Sequence, residues 1–208
     1  MTMALGLLSD GKASARTKIV LAHGAGLPMD SPFMEQFAQG LATAGFGVIR
    51  FEFPYMRARR TEGKRKGPDR PQALMDHWRA VIDEVGPPGR LVIGGKSMGG
   101  RIASMIADAA GVKGLVCLGY PFHPPGKPER TRTAHLEGLR TPTLIVQGTR
   151  DSMGKPDDVA GYSLSKRIEV LWMEAGDHSF KPTKASGRTN EQAIGEAIAA
   201  VVAFAKKL

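Results

Sequence analysis

Short apolar runs rich in β-branched residues alternate along this chain with longer segments of helical periodicity. The apolar runs occupy residues 18–26, 46–54, 91–97, 112–120, 141–149 and 168–176. The helical patterns occupy residues 31–45, 70–86, 98–111 and 190–208. Several runs are apolar throughout, as expected for parallel strands that are covered on both faces. The alternation predicts an α/β protein with a three-layer, doubly wound, mostly parallel sheet.

The length and composition indicate a single globular domain. No repeat, low-complexity tract or linker divides residues 1–208, and this length can bury a sizeable core. No apolar stretch approaches the roughly 20 residues that span a bilayer, and the N-terminal ALGLL is too short for a signal sequence. The single cysteine, Cys117, excludes an intrachain disulfide and is expected in the core. We therefore expect a cytoplasmic protein.

The segment GGKSMGGR at 94–101 has the pattern G-x-S-x-G, centred on Ser97, between a predicted strand and a predicted helix. A strand-to-helix turn this sharp needs glycines on both sides and exposes the serine hydroxyl above the sheet edge. The alternative is a glycine-rich turn with an inert serine. A phosphate-binding loop is excluded, because neither of the usual glycine spacings is present. The segment favours a nucleophilic serine.

A nucleophilic serine needs a base and an acid that orients the base. In sheets of this type these partners follow the serine in the order Asp or Glu, then His, after later strands. Asp151 follows one predicted strand in GTRDSMG, and His178 follows the next in GDHSF. The other histidines fit less well: two lie in a helical pattern and a polar connection, and one precedes the serine (His77, His135, His23).

An oxyanion intermediate requires two backbone N–H donors. The residue after the nucleophile, Met98, offers one at the start of the predicted helix. The loop HGAGLPMDS at 23–31 follows an early strand, and its small residues permit close approach to a substrate. Ala25 is the predicted second donor, and the alternative is a flexible turn without this role.

A basic stretch at 57–70 contains seven Arg and Lys against two acidic residues and carries +5 of the chain's net charge of +9. It follows a predicted strand and therefore emerges at the same sheet edge as the catalytic loops. Arg57 and Arg59 are predicted to bind an anionic substrate group. A solvated polar loop is the alternative. Nucleic-acid binding is disfavoured, because no aromatic residues are interleaved with the charges.

Residues 18–208 resemble the α/β-hydrolase superfamily through HGAG, GGKSMGGR, GTRD and GDHSF in this order. Within it, the chain resembles small, lidless, dienelactone-hydrolase-like proteins. FEFPYMRARRTEGKR and GYPFHPPGKPER are similar to the hydrolase-like domains of an animal testis-expressed protein and of a histone-acetyltransferase-complex subunit. The resemblance implies a Ser97–His178–Asp151 triad. We also expect Tyr120 and His123, in the second of these segments, to line the substrate pocket.

The chain differs from larger members of this superfamily in two places. Some 17 residues precede the first strand of the HGAG segment, which leaves room for one edge strand. About 20 residues separate GLVCLGY from TPTLIVQGT, too few for an inserted helical lid. We therefore expect an open active site.

These observations predict a serine hydrolase of the carboxylesterase or thioesterase type that acts on a small-molecule ester. No metal or other cofactor is expected, since no Cys/His ligand cluster occurs. The alternative is a non-catalytic interaction module that retains the fold. The substrate, and the choice between monomer and homodimer, are left open by the sequence.

Overall fold

The computed structural model describes residues 5–63 and 66–208, and its strands and helices follow the predicted alternation. The strands are β1 (Leu8–Asp10), β2 (Lys18–Ala22), β3 (Gly47–Phe51), β4 (Leu91–Lys96), β5 (Gly114–Leu118), β6 (Thr143–Gly148) and β7 (Ile168–Met173). The helices are α1 (Pro32–Thr43), α2 (Pro54–Glu62), α3 (Pro71–Val85), α4 (Met98–Ala110), α5 (Ala134–Glu137), α6 (Pro156–Ala160) and α7 (Asn190–Lys207).

The strands form one seven-stranded sheet in the order β1-β3-β2-β4-β5-β6-β7. Six strands are parallel, and only the short edge strand β1 runs antiparallel, against β3. The predicted fold class is confirmed, including the single N-terminal edge strand.

Helices cover both faces of the sheet, as the uniformly apolar strands require. In β2, alternate residues belong to different cores: Val20 packs with α3 and α4, whereas Ile19 and Leu21 pack with α1 and α7. The largest buried side chain, Trp78 of α3, lies in the first of these cores. Burial on both faces stabilises the strands β2 to β6 and holds their carboxyl ends at defined places.

The basic stretch differs from the predicted polar loop, because its first part forms helix α2. Pro54 occupies the first turn, where its missing N–H costs no hydrogen bond, and Gly63 ends the helix in a left-handed conformation. Tyr55 and Met56 are buried and attach the helix to the core. Residues 64–65, which carry two of the predicted positive charges, lie outside the described residues.

The strand order reverses direction at β2, which has β3 on one side and β4 on the other. The connections that leave β2 and β4 therefore diverge, and a crevice forms at the carboxyl ends of these strands. The loop at 23–31 and the turn at Ser97 both lie at this edge.

The turn between β4 and α4 packs against the end of β2 at very short range. Gly95 has φ +146°, and a Cβ atom there would overlap the carbonyl oxygen of Ala22. A Cβ on Gly99 would meet the same oxygen and the carbonyl oxygen of His23. Only glycine allows this approach, because side chains strain the backbone at this φ and the opposing atoms are backbone.

We predict that Gly95→Ala lowers the free energy of unfolding by about 3 kcal/mol or more, through backbone strain and overlap. Gly195→Ala is the matched control, because a Cβ there meets no atom within 4 Å in helix α7. This control should raise stability by about 0.5–1 kcal/mol. Urea unfolding of both variants measures the difference, and equal stability of the two would contradict the packing argument.

Candidate active site

Ser97 lies on a strained turn between β4 and α4, with φ 51° and ψ −115°. A non-glycine residue rarely adopts this left-handed region unless its surroundings enforce it. Its N–H donates to the Leu118 carbonyl at 3.0 Å, and its carbonyl accepts the Arg101 N–H at 3.0 Å. The turn is thus held from both the neighbouring strand and the helix that it begins.

Asp151 and His178 meet beside this turn. Asp151 follows β6 and is fully buried, and His178 follows β7 and is partly exposed. His178 Nδ1 donates to Asp151 Oδ2 at 2.6 Å, since a carboxylate can only accept. This bond leaves Nε2 as the acceptor nitrogen of the neutral ring, the form that a general base requires.

Ser97 and His178 line the same cavity. No hydrogen bond joins Ser97 Oγ to His178 among residues 5–63 and 66–208. In enzymes without substrate such bonds are often long and tighten only in the complex. The structure therefore brings the three predicted residues to one site, where Asp151 and His178 of the predicted triad are already hydrogen-bonded.

Gln147 holds the Asp151 carboxylate in place and was not found from the sequence. Its Nε2 donates to Asp151 Oδ2 at 2.9 Å, and its Oε1 accepts the Tyr120 N–H at 2.7 Å. The Met153 N–H donates to Asp151 Oδ1 at 2.9 Å. The buried charge is thereby satisfied on both oxygens. The polar residue near the end of the apolar run TLIVQG was the available signal.

The loop that carries His178 is shaped by its neighbours. Asp177 Oδ1 accepts the N–H groups of Ser179 and Lys181 at 2.8 and 3.0 Å. Phe180 adopts φ 68° and is fully buried, so its ring anchors the loop in the core. Asp177 therefore acts on the shape of this loop, and Asp151 is the carboxylate bonded to the imidazole.

Lys96, directly before Ser97, is a second residue that sequence reasoning did not select for the site. Its Nζ donates to the His178 carbonyl oxygen and lies 5.3 and 5.8 Å from the ring centroids of Phe33 and Phe180. Burial lowers the pKa of Lys96 to about 7, although the negative charges of Asp151 and Asp177 act in the opposite direction. This lysine links the nucleophile strand to the histidine loop.

The predicted oxyanion donors, Met98 and Ala25, line one cavity together with Ser97. Met98 is the first residue of α4, so its N–H has no acceptor within the helix. Ala25 lines both cavities that adjoin Ser97. Their role as oxyanion donors stays a prediction.

The loop that contains Ala25 is held by two buried aromatic residues. His23 Nε2 accepts the Phe53 N–H at 3.1 Å, so the ring proton is on Nδ1, which donates to the Gly24 carbonyl at 2.6 Å. Burial lowers the pKa of His23, which keeps this neutral form. The Tyr55 hydroxyl donates to the carbonyls of Gly24 and Ala25 at 3.3 and 3.1 Å. Both side chains orient the peptide planes of the loop.

Two cavities adjoin Ser97. The first measures about 280 Å³ and is lined by Gly24, Ala25, Gly26, Leu27, Ser31, Phe33, Met34, Lys96, Ser97, His178 and Ser179. The second measures about 410 Å³ and is lined by Ala25, Pro68, Asp69, Pro71, Leu74, Ser97, Met98, Arg101, Ile102, Pro121, Pro125, Arg132 and Met153. A substrate whose carbonyl lies at Ser97 can extend into both.

Arg57 and Arg59 of α2 line neither of these cavities. Arg59 donates to the Lys66 carbonyl at 2.6 Å and lies 5.2 Å over the Tyr55 ring. Arg60 pairs with Glu52 and Asp30, and so joins α2 to the loop before α1. Substrate binding by Arg57 and Arg59 stays a prediction, whereas the contacts of Arg60 are structural.

Tyr120 and His123 are buried behind the second cavity and are not among its lining residues. The Tyr120 hydroxyl donates to the Arg132 carbonyl at 2.8 Å. The His123 N–H donates to the Met153 carbonyl at 3.3 Å, which attaches its segment to the Asp151 loop. Both brace walls of the site, and their predicted contact with substrate is untested.

The remaining candidates have structural partners. His77 Nε2 lies 3.0 Å from the Glu52 carbonyl, and His135 Nε2 lies 2.8 Å from Ser104 Oγ. Cys117 is buried in β5, and burial raises the pKa of its thiol. Within the described ranges, no group of three or more His, Cys, Asp or Glu could hold a metal ion. No helix there is long and apolar enough to cross a membrane.

Comparison with known proteins agrees with this fold. A family model for the alpha/beta hydrolase domain matches residues 15–206. The chain therefore belongs to the α/β-hydrolase family.

Several solved structures share the fold at low sequence identity. A lidless α/β serine hydrolase from Xanthomonas campestris is 18% identical with a TM-score of 0.68, covering 97% of this chain and 88% of that chain. A monoacylglycerol lipase from Paleococcus ferrophilus is 17% identical with a TM-score of 0.70, covering 97% and 100%. A serine hydrolase homologue from Coxiella burnetii is 18% identical with a TM-score of 0.69, covering 94% and 89%. In this chain the described connection between β5 and β6 holds only the four-residue helix α5, and no lid domain.

We predict that Lys96→Met changes how stability depends on pH. The folded protein holds the pKa of Lys96 near 7, below the ordinary value of 10.5, so the unfolded chain binds more protons between these values. Stability of the parent protein, relative to Lys96→Met, should therefore rise as pH increases from about 7 to about 10. Below pH 7 the difference should be constant, with the charged lysine at its greatest disadvantage.

Urea unfolding of the two proteins across this pH range measures the effect. Lys207→Met, at an exposed position in the last turn of α7, is the control for loss of one positive charge. A parallel pH dependence for the parent protein and Lys96→Met would show that the ammonium is not buried in this way.

Proposed function

We propose that this protein is a serine hydrolase that cleaves an ester or thioester of a small molecule through an acyl-enzyme on Ser97. The observation that carries the proposal is the bonded pair of Asp151 and His178 beside a serine held in a left-handed turn. Strain of this kind persists at functional sites because the surrounding structure over-determines it. A glycine-rich turn without a chemical role would need neither the buried carboxylate nor the imidazole.

The first half-reaction follows from the positions of these groups. Ser97 Oγ attacks the substrate carbonyl carbon while His178 Nε2 takes the hydroxyl proton. Asp151 keeps the imidazole in the required tautomer and stabilises its positive charge. The N–H groups of Met98 and Ala25 donate to the oxyanion. The tetrahedral intermediate then expels the alcohol or thiol, which receives the proton from His178.

Water completes the cycle. His178 Nε2 takes a proton from a water molecule, and the resulting hydroxide attacks the acyl carbonyl on Ser97. A second tetrahedral intermediate collapses, the C–O bond to Ser97 breaks, and His178 returns the proton to Ser97 Oγ. The products are the free acid and the regenerated serine, so no oxidant, reductant or metal is required.

The structural neighbours support the class of reaction more than a substrate. They include a monoacylglycerol lipase, an esterase domain from Rhodothermus marinus and a thioesterase domain from the curacin biosynthetic pathway. These proteins all act on acyl groups by name, and the fold hosts many substrates on one set of catalytic residues. The short β5–β6 connection and the dienelactone-hydrolase-like motifs favour a small substrate that binds in an open cleft.

The competing function is a non-catalytic interaction module that retains the fold. Two contacts favour the enzyme over this alternative. Gln147 donates to Asp151, and Lys96 donates to the carbonyl of His178, and neither side chain contributes to the apolar cores. A module without chemistry has no use for a buried, fully hydrogen-bonded Asp151.

We predict that a fluorophosphonate probe labels Ser97 of the folded protein. Ser97→Ala should remove the labelling, and Asp151→Asn should slow it by about 10³-fold or more, because the imidazole loses its required tautomer. Intact-mass spectrometry and in-gel fluorescence measure the labelling, and circular dichroism verifies that each variant is folded. Absence of labelling, or equal labelling of Ser97→Ala, would exclude the proposed serine hydrolase function.

We also predict that Tyr55→Phe lowers kcat on the order of tenfold with little change in KM, since a misaligned oxyanion donor acts on the transition state. The Tyr55 hydroxyl is the group that orients the carbonyls of Gly24 and Ala25. Tyr162→Phe is the control, because Tyr162 lines neither cavity at Ser97. Steady-state kinetics on 4-nitrophenyl butyrate provides the measurement, and an unchanged kcat in Tyr55→Phe would contradict this role.

A further inference from the structure

The second cavity at Ser97 combines apolar walls with two arginines. Pro68, Pro71, Leu74, Ile102, Pro121, Pro125 and Met153 form its apolar surface. Arg101 and Arg132 provide two positive charges on the same surface. Because Ser97 and Met98 also line it, a ligand in this cavity contacts both the nucleophile and a predicted oxyanion donor.

Arg101 lies one helical turn after Ser97, and so on the same side of α4. Its guanidinium Nε is buried and has no hydrogen-bond partner in the described part of the chain. A buried N–H without an acceptor is costly, and native structures contain few of them. This donor therefore indicates an acceptor that the protein does not supply itself.

Arg132 approaches the same cavity from the segment between β5 and α5. Partial burial lowers its pKa, and the positive charge of Arg101 acts in the same direction. Neither guanidinium lies within 4.0 Å of a carboxylate among residues 5–63 and 66–208. The two guanidinium groups thus repel each other in a partly desolvated cavity.

Two other arginines of this protein are paired with carboxylates. The buried Arg50 donates to both carboxylate oxygens of Asp10, and Arg60 pairs with Glu52 and Asp30. One carboxylate, Asp69, does line the cavity, but its Oδ2 accepts the Tyr55 N–H at 3.1 Å. The cavity keeps an excess of positive charge next to the nucleophile.

We propose that Arg101 and Arg132 bind an anionic group, a carboxylate or a phosphate, carried by the substrate that Ser97 attacks. This inference rests on the proposed hydrolase function and specifies its substrate class. A guanidinium binds either anion through paired N–H donors. The second guanidinium neutralises negative charge of the anion that the first leaves. The apolar walls contact the chain between the anionic group and the scissile carbonyl.

The anionic group can lie on either side of the ester bond. A carboxylate at the far end of the acyl chain makes the substrate a monoester of a dicarboxylic acid. A phosphate in the leaving group makes it an acyl thioester or ester of a phosphorylated carrier. The chemistry at the arginines is the same, and substrate pairs distinguish the two sources.

The test compares substrates that differ in this charge. 4-Nitrophenyl monosuccinate replaces the terminal methyl group of 4-nitrophenyl butyrate by a carboxylate. Butyryl-coenzyme A carries phosphates that S-butyryl-N-acetylcysteamine lacks. Steady-state kcat/KM is measured for each pair with the parent protein, Arg101→Gln, Arg132→Gln and the control Arg130→Gln, an exposed arginine two residues from Arg132.

We expect the parent protein to prefer the anionic member of one pair by about tenfold or more, the usual effect of a charge-assisted hydrogen bond. Arg101→Gln and Arg132→Gln should each reduce the ratio of kcat/KM between the anionic and the neutral member of this pair to near one, through a higher KM for the anionic member. Arg130→Gln should retain the preference. The pair that shows it identifies the source of the anion.

Two results overturn the inference. One is a ratio near one for both pairs in the parent protein. The other is a preference that Arg130→Gln reduces as much as Arg132→Gln, which would indicate general attraction by the positive surface. Circular dichroism verifies folding, and Arg101→Met, which removes the charge and keeps a long side chain, replaces Arg101→Gln if the latter does not fold.

A binding measurement separates this inference from the proposed function. Calorimetry with Ser97→Ala protein and 4-nitrophenyl monosuccinate does not depend on turnover, and binding that Arg132→Gln abolishes supports the anion site. Absence of fluorophosphonate labelling with this binding intact overturns the hydrolase function alone. Labelling and butyrate hydrolysis without anion preference or binding overturn the anion site alone.

Discussion

The site depends on the close contact between the turn after β4 and the carbonyl end of β2. Gly95 and Gly99 lie against the carbonyl oxygens of Ala22 and His23 at a distance that no side chain permits. Helix α4 therefore begins directly beside the loop that contains Ala25. In the same turn Ser97 adopts its left-handed conformation and lines the cavity at this edge of the sheet. The arrangement of the site at this sheet edge thus depends on the packing of backbone against backbone.

The buried polar groups around Ser97 differ in how fully the protein satisfies their hydrogen bonds and charges. Asp151 accepts hydrogen bonds from His178, Gln147 and Met153, so its charge is compensated within the protein. Lys96, by contrast, has a carbonyl oxygen and two aromatic rings as partners, and its pKa is lowered accordingly. Arg101 is left without an acceptor on Nε. The site satisfies its own anion and keeps positive charge without a carboxylate partner, which is the electrostatic pattern expected of the anion-binding cleft that we propose.

The sequence predicted those parts of the fold that depend on local pattern. Two-sided burial makes strands such as β5 uniformly apolar, and helices such as α7 carry their own start signal at Thr189. The order of Ser97, Asp151 and His178 could be predicted because parallel strands deliver their carboxyl ends to one edge. Helix α2 was missed, because its high charge resembles a loop and its stability comes from burial of Tyr55 and Met56 in a distant core.

The sequence by itself determined the class of fold and the strand ends at which Ser97, Asp151 and His178 lie, because strand periodicity and glycine spacing are local properties. Only the tertiary structure decided which charged residues are free to meet a ligand. Arg60 forms ion pairs with Glu52 and Asp30, and no local sequence pattern predicts these pairs. Arg101 and Arg132, by contrast, belong to separate segments of the chain but line one cavity. Whether a charged side chain is paired or buried depends on the segments that fold beside it, and the charge of the residue alone does not predict this.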